Sequence, residues 1–120
     1  IGFVHFRFEV EETGAVGDDD VEVGSVPIPV VYVYELQTEP ESQSRGIGRR
    51  LMRAVEAIGA ELRMERCMLT VLKINEGAAR FYDRLGYCVD VDSPTDEGCH
   101  YTILTKPIVL AAPAKPKPTE

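Results

Sequence analysis

From Gly2 to Glu11 the chain alternates, with Val4, Phe6, Phe8 and Val10 on one side of an extended segment and His5, Arg7, Glu9 and Glu11 on the other. A period of two predicts a strand with one buried face. A second run, Val30 to Gln37, is rich in β-branched and aromatic residues, which suit a pleated sheet. Strict alternation gives Tyr32, Tyr34 and Leu36 one face and Val31, Val33, Glu35 and Gln37 the other. After a polar turn the period lengthens. Ile47, Leu51, Val55, Ile58 and Leu62 recur at spacings of four, four, three and four, the stripe of an amphipathic helix lying on a sheet. Cys67 to Lys73 is short and mostly apolar, as a central parallel strand after a crossover helix should be. Asn75 is placed to cap a second helix that runs through Ala78, Phe81, Tyr82 and Leu85 and stops at Gly86. Tyr87 to Asp92 and Cys99 to Lys106 then read as two strands joined by Ser-Pro-Thr-Asp-Glu-Gly, a turn-forming sequence.

Two stretches interrupt this pattern. Glu12 to Pro29 is an acidic connection studded with Gly14, Gly17 and Gly24 and carrying Asp18, Asp19 and Asp20, which predicts a long, mobile loop. Its charge would attract a basic peptide or simply remain a solvated surface. Residues 108–120, with Pro113, Pro116 and Pro118 among Ala and Lys, lack periodicity and are expected to be disordered or extended. The order is strand, strand, helix, strand, helix, strand, strand over residues 1–107, without an internal repeat. This is a mixed α/β (α+β) domain, a central sheet flanked by helices.

At 120 residues and 44% hydrophobic, the chain can build one modest core and not two. A net charge of −7 argues against binding nucleic acid through its phosphates and suits either a basic partner or plain solubility. Cys67, Cys88 and Cys99 are odd in number and contain no Cys-x-x-Cys pair, which suggests a reducing compartment with neither a disulfide framework nor a metal site. No apolar run approaches the roughly 20 residues that cross a bilayer, so no membrane association is expected. The chain begins at Ile1 within a strand-like pattern, and is expected to be a piece of a longer protein.

The candidate chemistry begins at Gln43-Ser44-Arg45-Gly46-Ile47-Gly48, a strand-to-helix junction. The first amides of a helix have no internal acceptor and sit at the positive end of its dipole, so an anion such as a pyrophosphate can rest there. Glycines at 46 and 48 would let phosphate oxygens reach the backbone. No Gly-Lys-Ser/Thr follows, and the dinucleotide fingerprint Gly-x-Gly-x-x-Gly is not completed. Arg49, Arg50 and Arg53 fall in the first two turns, against the preference for acidic residues there; a bound polyphosphate would account for them, and ordinary surface arginines are the alternative. Glu35, in the middle of an apolar strand, is costly to bury unless it is paired or functional. Tyr82 is either a core aromatic or a proton donor to a ligand.

Together, Gln43-x-x-Gly46-x-Gly48 between the second strand and the first helix, and Asn75…Ala79-Arg80-Phe81-Tyr82…Leu85-Gly86-Tyr87 beyond it, resemble the GCN5-related N-acetyltransferase (GNAT) superfamily. The resemblance spans Ile1 to about Pro107 and corresponds to the C-terminal two-thirds of the fold, the N-terminal part being missing. His5-Phe6-Arg7-Phe8-Glu9, Tyr32-Val33-Tyr34-Glu35-Leu36-Gln37, Leu69-Thr70-Val71-Leu72-Lys73 and Cys99-His100-Tyr101-Thr102-Ile103-Leu104 are similar to the N-terminal acetyltransferase D (NatD) branch. That branch acetylates the α-amino group of histones whose tails begin Ser-Gly-Arg-Gly, as a monomer in the nucleus and cytoplasm.

The resemblance implies acetyl-CoA as co-substrate and no metal. The cofactor would lie against the backbone of Leu36, Gln37 and Thr38, with its pyrophosphate on Ser44, Arg45, Gly46, Ile47, Gly48 and Arg49. Thr70 and Asn75 would lie near the pantetheine and thioester. Glu9, Tyr34 and Tyr101 would hold the basic peptide, and Glu35 would be essential for turnover. The family more often has Asp where Glu9 stands, and the acidic insertion before Val30 is a second departure. An α-amino group has a pKa of about 8 and a lysine amine about 10.4, so a modest base suffices for the former. Glu35 is the candidate base, directly or through a water, and Tyr34, Tyr101 or Tyr82 the candidate donor to the departing thiolate. The alternatives are acetylation of a lysine or small-molecule amine by the same machinery, and a non-catalytic acetyl-CoA-binding module.

Overall fold

The computed structural model describes residues 2–13, 26–38 and 46–108. The two alternating segments pair as an antiparallel ladder, β1 (Gly2–Thr13) on β2 (Val26–Thr38). Helix α1 (Ile47–Glu61) carries the chain to β3 (Arg66–Leu72), which lies parallel to β2. Helix α2 (Glu76–Arg84) leads to β4 (Cys88–Val89), and β5 (Tyr101–Pro107) then inserts antiparallel between β3 and β4. The sheet order is β1-β2-β3-β5-β4. The expected mixed sheet with helices is therefore present.

Both crossovers step the same way across the sheet, so right-handed connections place both helices on one face. The core lies between them and the sheet. Val31, Val33, Leu69 and Leu104 from the strands meet Met52 and Val55 of α1 and Tyr82 of α2. Met52 is fully buried, which contributes about 1.5–3 kcal/mol of transfer free energy.

The predicted stripe of α1 is rotated. Met52, Val55 and Gly59 are the buried positions, while Ile58 and Leu62 are exposed. The reason is steric: a Cβ at Gly59 would lie 2.9 Å from Val31 Cγ2, so the helix touches the sheet through its smallest residue. Hydropathy cannot register that contact.

Three further expectations change. Residues 11–13 and 26–29 belong to β1 and β2, with Glu12 opposite Pro27, so the predicted loop over 12–29 is shorter at both ends; Asp18, Asp19 and Asp20 lie outside the described residues. Cross-strand pairing carries the ladder past the proline-containing segment because Pro27 and Pro29 sit where the ladder begins. The two long C-terminal strands shrink to Cys88–Val89 and Tyr101–Pro107. Between them side chains take over from the ladder: Asp90 Oδ2 accepts from Asp92 N at 3.0 Å, and Ser93 Oγ accepts from Ile103 N at 3.0 Å. Finally, Val4 and Phe6 pack on the core, but Phe8 and Val10 are exposed, because the helices cover only one end of β1.

A polar knot ties the elements at the base of the core. Tyr87 Oη donates to Glu56 Oε2 at 2.8 Å, and Lys106 Nζ donates to Glu56 Oε1 at 2.8 Å. Next to it, burial pushes the Cys67 thiol up to about 11. A thiol whose pKa is raised from 9.0 by folding contributes stability below pH 9 that is lost as the pH rises through about 11. Urea unfolding measured between pH 8 and pH 11 should therefore show a smaller loss for Cys67→Val than for the unsubstituted protein, by on the order of 2 kcal/mol. Equal losses would show that the thiol titrates alike in the folded and unfolded states.

Candidate active site

β2 and β3 pair only from Val30–Arg66 to Val33–Leu69. Beyond that point each strand continues, β2 to Thr38 and β3 to Leu72, without pairing to the other. The two strands diverge into a gap. Their outer ladders persist, Thr38 opposite Gly2 and Leu72 opposite Tyr101, so the gap is held open from both sides.

The ladder of β1 on β2 contains a bulge at the start of this gap. His5 pairs with Glu35 and Phe6 with Val33, leaving Tyr34 as an extra residue. An extra residue reverses the parity of everything after it. Leu36 joins Val31 and Val33 on the helix face, where it packs against the core. Glu35 and Gln37 join Tyr32 and Tyr34 on the open face. The faces expected from strict alternation are thus wrong beyond Tyr34, because a bulge is invisible to a period-two count. The burial cost weighed for Glu35 is not incurred, for the same reason: its side chain is exposed.

On the helix face a cavity of about 470 Å³ lies between the starts of the two helices. Gly46 precedes α1 with φ 73°, a left-handed conformation that favours glycine. Among the described residues, its chain neighbours aside, no atom lies within 4 Å of the point a Cβ would occupy. The first helical bond is Arg50 N to Gly46 O at 3.1 Å, which leaves the amides of Ile47, Gly48 and Arg49 without acceptors inside the helix. No acidic residue lies in this first turn. Gly48 also has a packing role: its missing Cβ makes room for the Phe81 ring, which would stand 3.2 Å away. Asn75 caps α2 by accepting from Ala78 N at 3.1 Å and also lines the cavity. Tyr82 is buried, edge-on to Phe81 and Tyr87, and burial raises the pKa of its hydroxyl.

The open face carries a different set. Tyr34 Oη donates to the Glu9 carboxylate, and that bond raises the tyrosine pKa, so the phenol keeps its proton. The Arg7 guanidinium lies 5.2 Å from the Tyr34 ring, and the His5 and Tyr32 rings lie 5.6 and 5.1 Å from it. Tyr32 and Thr70 share a hydroxyl–hydroxyl bond across the two strands. Gln37 Nε2 donates to Glu35 Oε1 at 2.5 Å. The pKa of Glu11 is raised by burial and then by the charges of Glu9, Asp90 and Asp92, so this end of the face is acidic. Among the described residues no group of three or more His, Cys, Asp or Glu could hold a metal ion.

The structure therefore sorts the expected residues into two groups. Leu36, Thr38, Gly46, Gly48, Arg49, Asn75 and Tyr82 line the cavity. Glu9, Tyr34, Glu35, Gln37 and Thr70 lie across the sheet from it, on the open face with Tyr101, which pairs with Leu72 at the far side of the gap. Ile47 offers its backbone at the helix start and is not among the cavity residues. Ser44 and Arg45 lie outside the described residues. Gly77, Ala78 and Phe81 line the cavity and were not singled out. Their spacing with Asn75 and Tyr82, one turn apart on the second helix, was the available signal.

The same fold recurs in solved N-terminal acetyltransferases. Chaetomium thermophilum Naa20 in complex with a bisubstrate analogue superposes with a TM-score of 0.66 at 21% identity, covering 90% of this chain and 60% of that one. Arabidopsis thaliana Naa50 in complex with the bisubstrate analogue CoA-Ac-MVNAL gives 0.63 at 22% identity, covering 88% and 64%. The NatC complex bound to Gag peptide and CoA gives 0.66 at 17% identity, covering 91% and 62%. The chain spans less than two thirds of each of these relatives. A model of the acetyltransferase (GNAT) family matches residues 1–87, and with that match, on a sheet that splays beside an uncapped glycine-led helix, the chain belongs to the GNAT family.

Proposed function

We propose that this protein transfers the acetyl group of acetyl-CoA to the free α-amino group of a basic peptide, of the kind that begins Ser-Gly-Arg-Gly in histones. The observation that carries the reading is the gap between β2 and β3. It separates a cavity with free amides and Arg49 from an open face bearing Glu9, Tyr34 and Glu35, and it joins the two. A polyanionic co-substrate and a cationic peptide would thus approach from opposite sides.

The residues around the cavity fit the co-substrate. The amides of Ile47, Gly48 and Arg49 suit its pyrophosphate; Leu36, Thr38 and Asn75 suit the pantetheine arm that leads toward the gap. Acetyl-CoA, when bound, supplies the thioester. On the open face Glu9, fixed by the Tyr34 hydroxyl, holds the positive end of the peptide together with Tyr101. Glu35 accepts the proton of the α-ammonium group, directly or through a water, an easy transfer because that group has a pKa of about 8. Gln37 orients the Glu35 carboxylate. Tyr82, the tyrosine that lines the cavity and whose pKa is raised by burial, donates the proton to the departing thiolate. Holding amine and thioester in register supplies most of the rate.

The acidic set Glu9, Glu11, Asp90 and Asp92 favours a histone-type tail over a neutral peptide. With that substrate go action in the nucleus and cytoplasm and a monomeric enzyme.

Mass spectrometry of a lysine-containing peptide that begins Ser-Gly-Arg-Gly, and of its N-blocked form, tests this reading in the full-length protein. The free peptide should gain one acetyl group on its α-amine and the blocked one none, and Glu35→Gln should lower kcat/KM about 10²–10⁴-fold with acetyl-CoA affinity retained. Acetylation of lysine on the blocked peptide, or cofactor binding without turnover, rejects the proposal. A second substitution addresses the cavity. Gly46→Val places a β-branched residue at φ 73°, and calorimetry should show acetyl-CoA bound about tenfold or more weakly while circular dichroism still shows a folded protein. Unchanged affinity would remove the α1 start from the site.

A further inference from the structure

A further cavity, of about 600 Å³, lies on the far side of α2 and shares no lining residue with the one described above. Its floor is the sheet, with Val71, Val89 and Leu104, and its wall is α2, with Ala79 and Arg80. We propose that it binds a small amphipathic monoanion, the apolar chain lying on this floor and the carboxylate held between Lys73 and Arg80.

Three observations lead there. The volume is in the range of small-molecule sites, about 300–1,000 Å³. The surface is apolar where it is concave: Val89, on the floor, is 61% exposed, and exposed apolar surface gathered in a hollow gains by being covered. Lys73 and Arg80 also make no ion pair or side-chain hydrogen bond with any described residue, whereas Lys106 is paired with Glu56. In a chain of net charge −7, two unpaired cations beside one apolar hollow form a local anion-attracting field. Asp83, on the same wall one turn from Arg80, cancels one of the two charges. The remaining single positive charge suits a monocarboxylate and disfavours a polyphosphate, which separates this site from that of the co-substrate.

Protection of the intact protein against heat, read as the rise in its melting temperature, reports occupancy without a label. Decanoate below its micellar concentration should protect saturably. Decyltrimethylammonium, with the same tail and opposite charge, and acetate, with no tail, should not protect. The double variant Lys73→Glu/Arg80→Glu should weaken the protection about tenfold or more, and saturating CoA should leave it unchanged. Both residues are exposed, and the neutral pair Lys73→Gln/Arg80→Gln should give an intermediate loss. Absence of protection by decanoate, equal protection by the cationic analogue, indifference to the charge reversals, or displacement by CoA would each overturn the proposal. None of these outcomes bears on the acetyl-transfer assay, so the two readings fail separately.

Discussion

The structure depends on a ladder that stops. β2 and β3 hold each other through four residue pairs and then part, and unpaired backbone groups at a strand edge are costly unless something else satisfies them. The divergence is tolerable because each strand is secured from its outer side, β2 by β1 over its whole length and β3 by β5. The cost is met by the neighbours, and the reward is a slot through the sheet whose walls are main chain. Its lower end is closed by Val30, Val31, Val33, Cys67 and Leu69, all buried, so the part that must stay together is also the part that excludes water.

The bulge at Tyr34 decides what the slot separates. Without it, Glu35 and Gln37 would continue the row of Val31 and Val33 and point beneath the helices, and Leu36 would face outward. With it, a leucine lines the cavity and a carboxylate stands on the open face. One inserted residue thus turns a strand that would bury a charge into one that presents it, and removes the desolvation cost that such a burial would carry. Tyr34, the bulged residue, keeps the face of Tyr32 and bonds to Glu9 there.

Around the gap the described residues on the two faces differ electrostatically. The helix face offers amides at the start of α1 and Arg49; the open face offers Glu9, Glu11 and Glu35, with Asp90 and Asp92 within range of Glu11. The net charge averages over this division and conceals it. Helix α2 divides the helix face again, with Asn75, Ala78, Phe81 and Tyr82 on one cavity and Ala79 and Arg80 on the other. Nine residues of helix therefore form a wall common to two cavities, fixed at one end by the Asn75 cap and at the other by Gly86, whose φ is 95°.

The sequence by itself determined the element order, the sheet's mixed character, the cap at Asn75 and the glycine-led start of α1, whereas Leu36 and Thr38 were named only through the family resemblance. Each of the former follows from local chemistry, a period, a cap or a glycine, that a short window contains. What the window lacks is the partner. The face that Glu35 presents depends on pairing with β1, the buried stripe of α1 on how closely Gly59 approaches Val31, and the role of Gly48 on a ring supplied by another helix. The shortened strands near the C-terminus depend on whether Asp90 and Ser93 find backbone groups to bond. These were decided by the tertiary structure, because each is set by the distance between residues far apart in the chain, and hydrophobic periodicity records only which residues prefer burial, never what buries them.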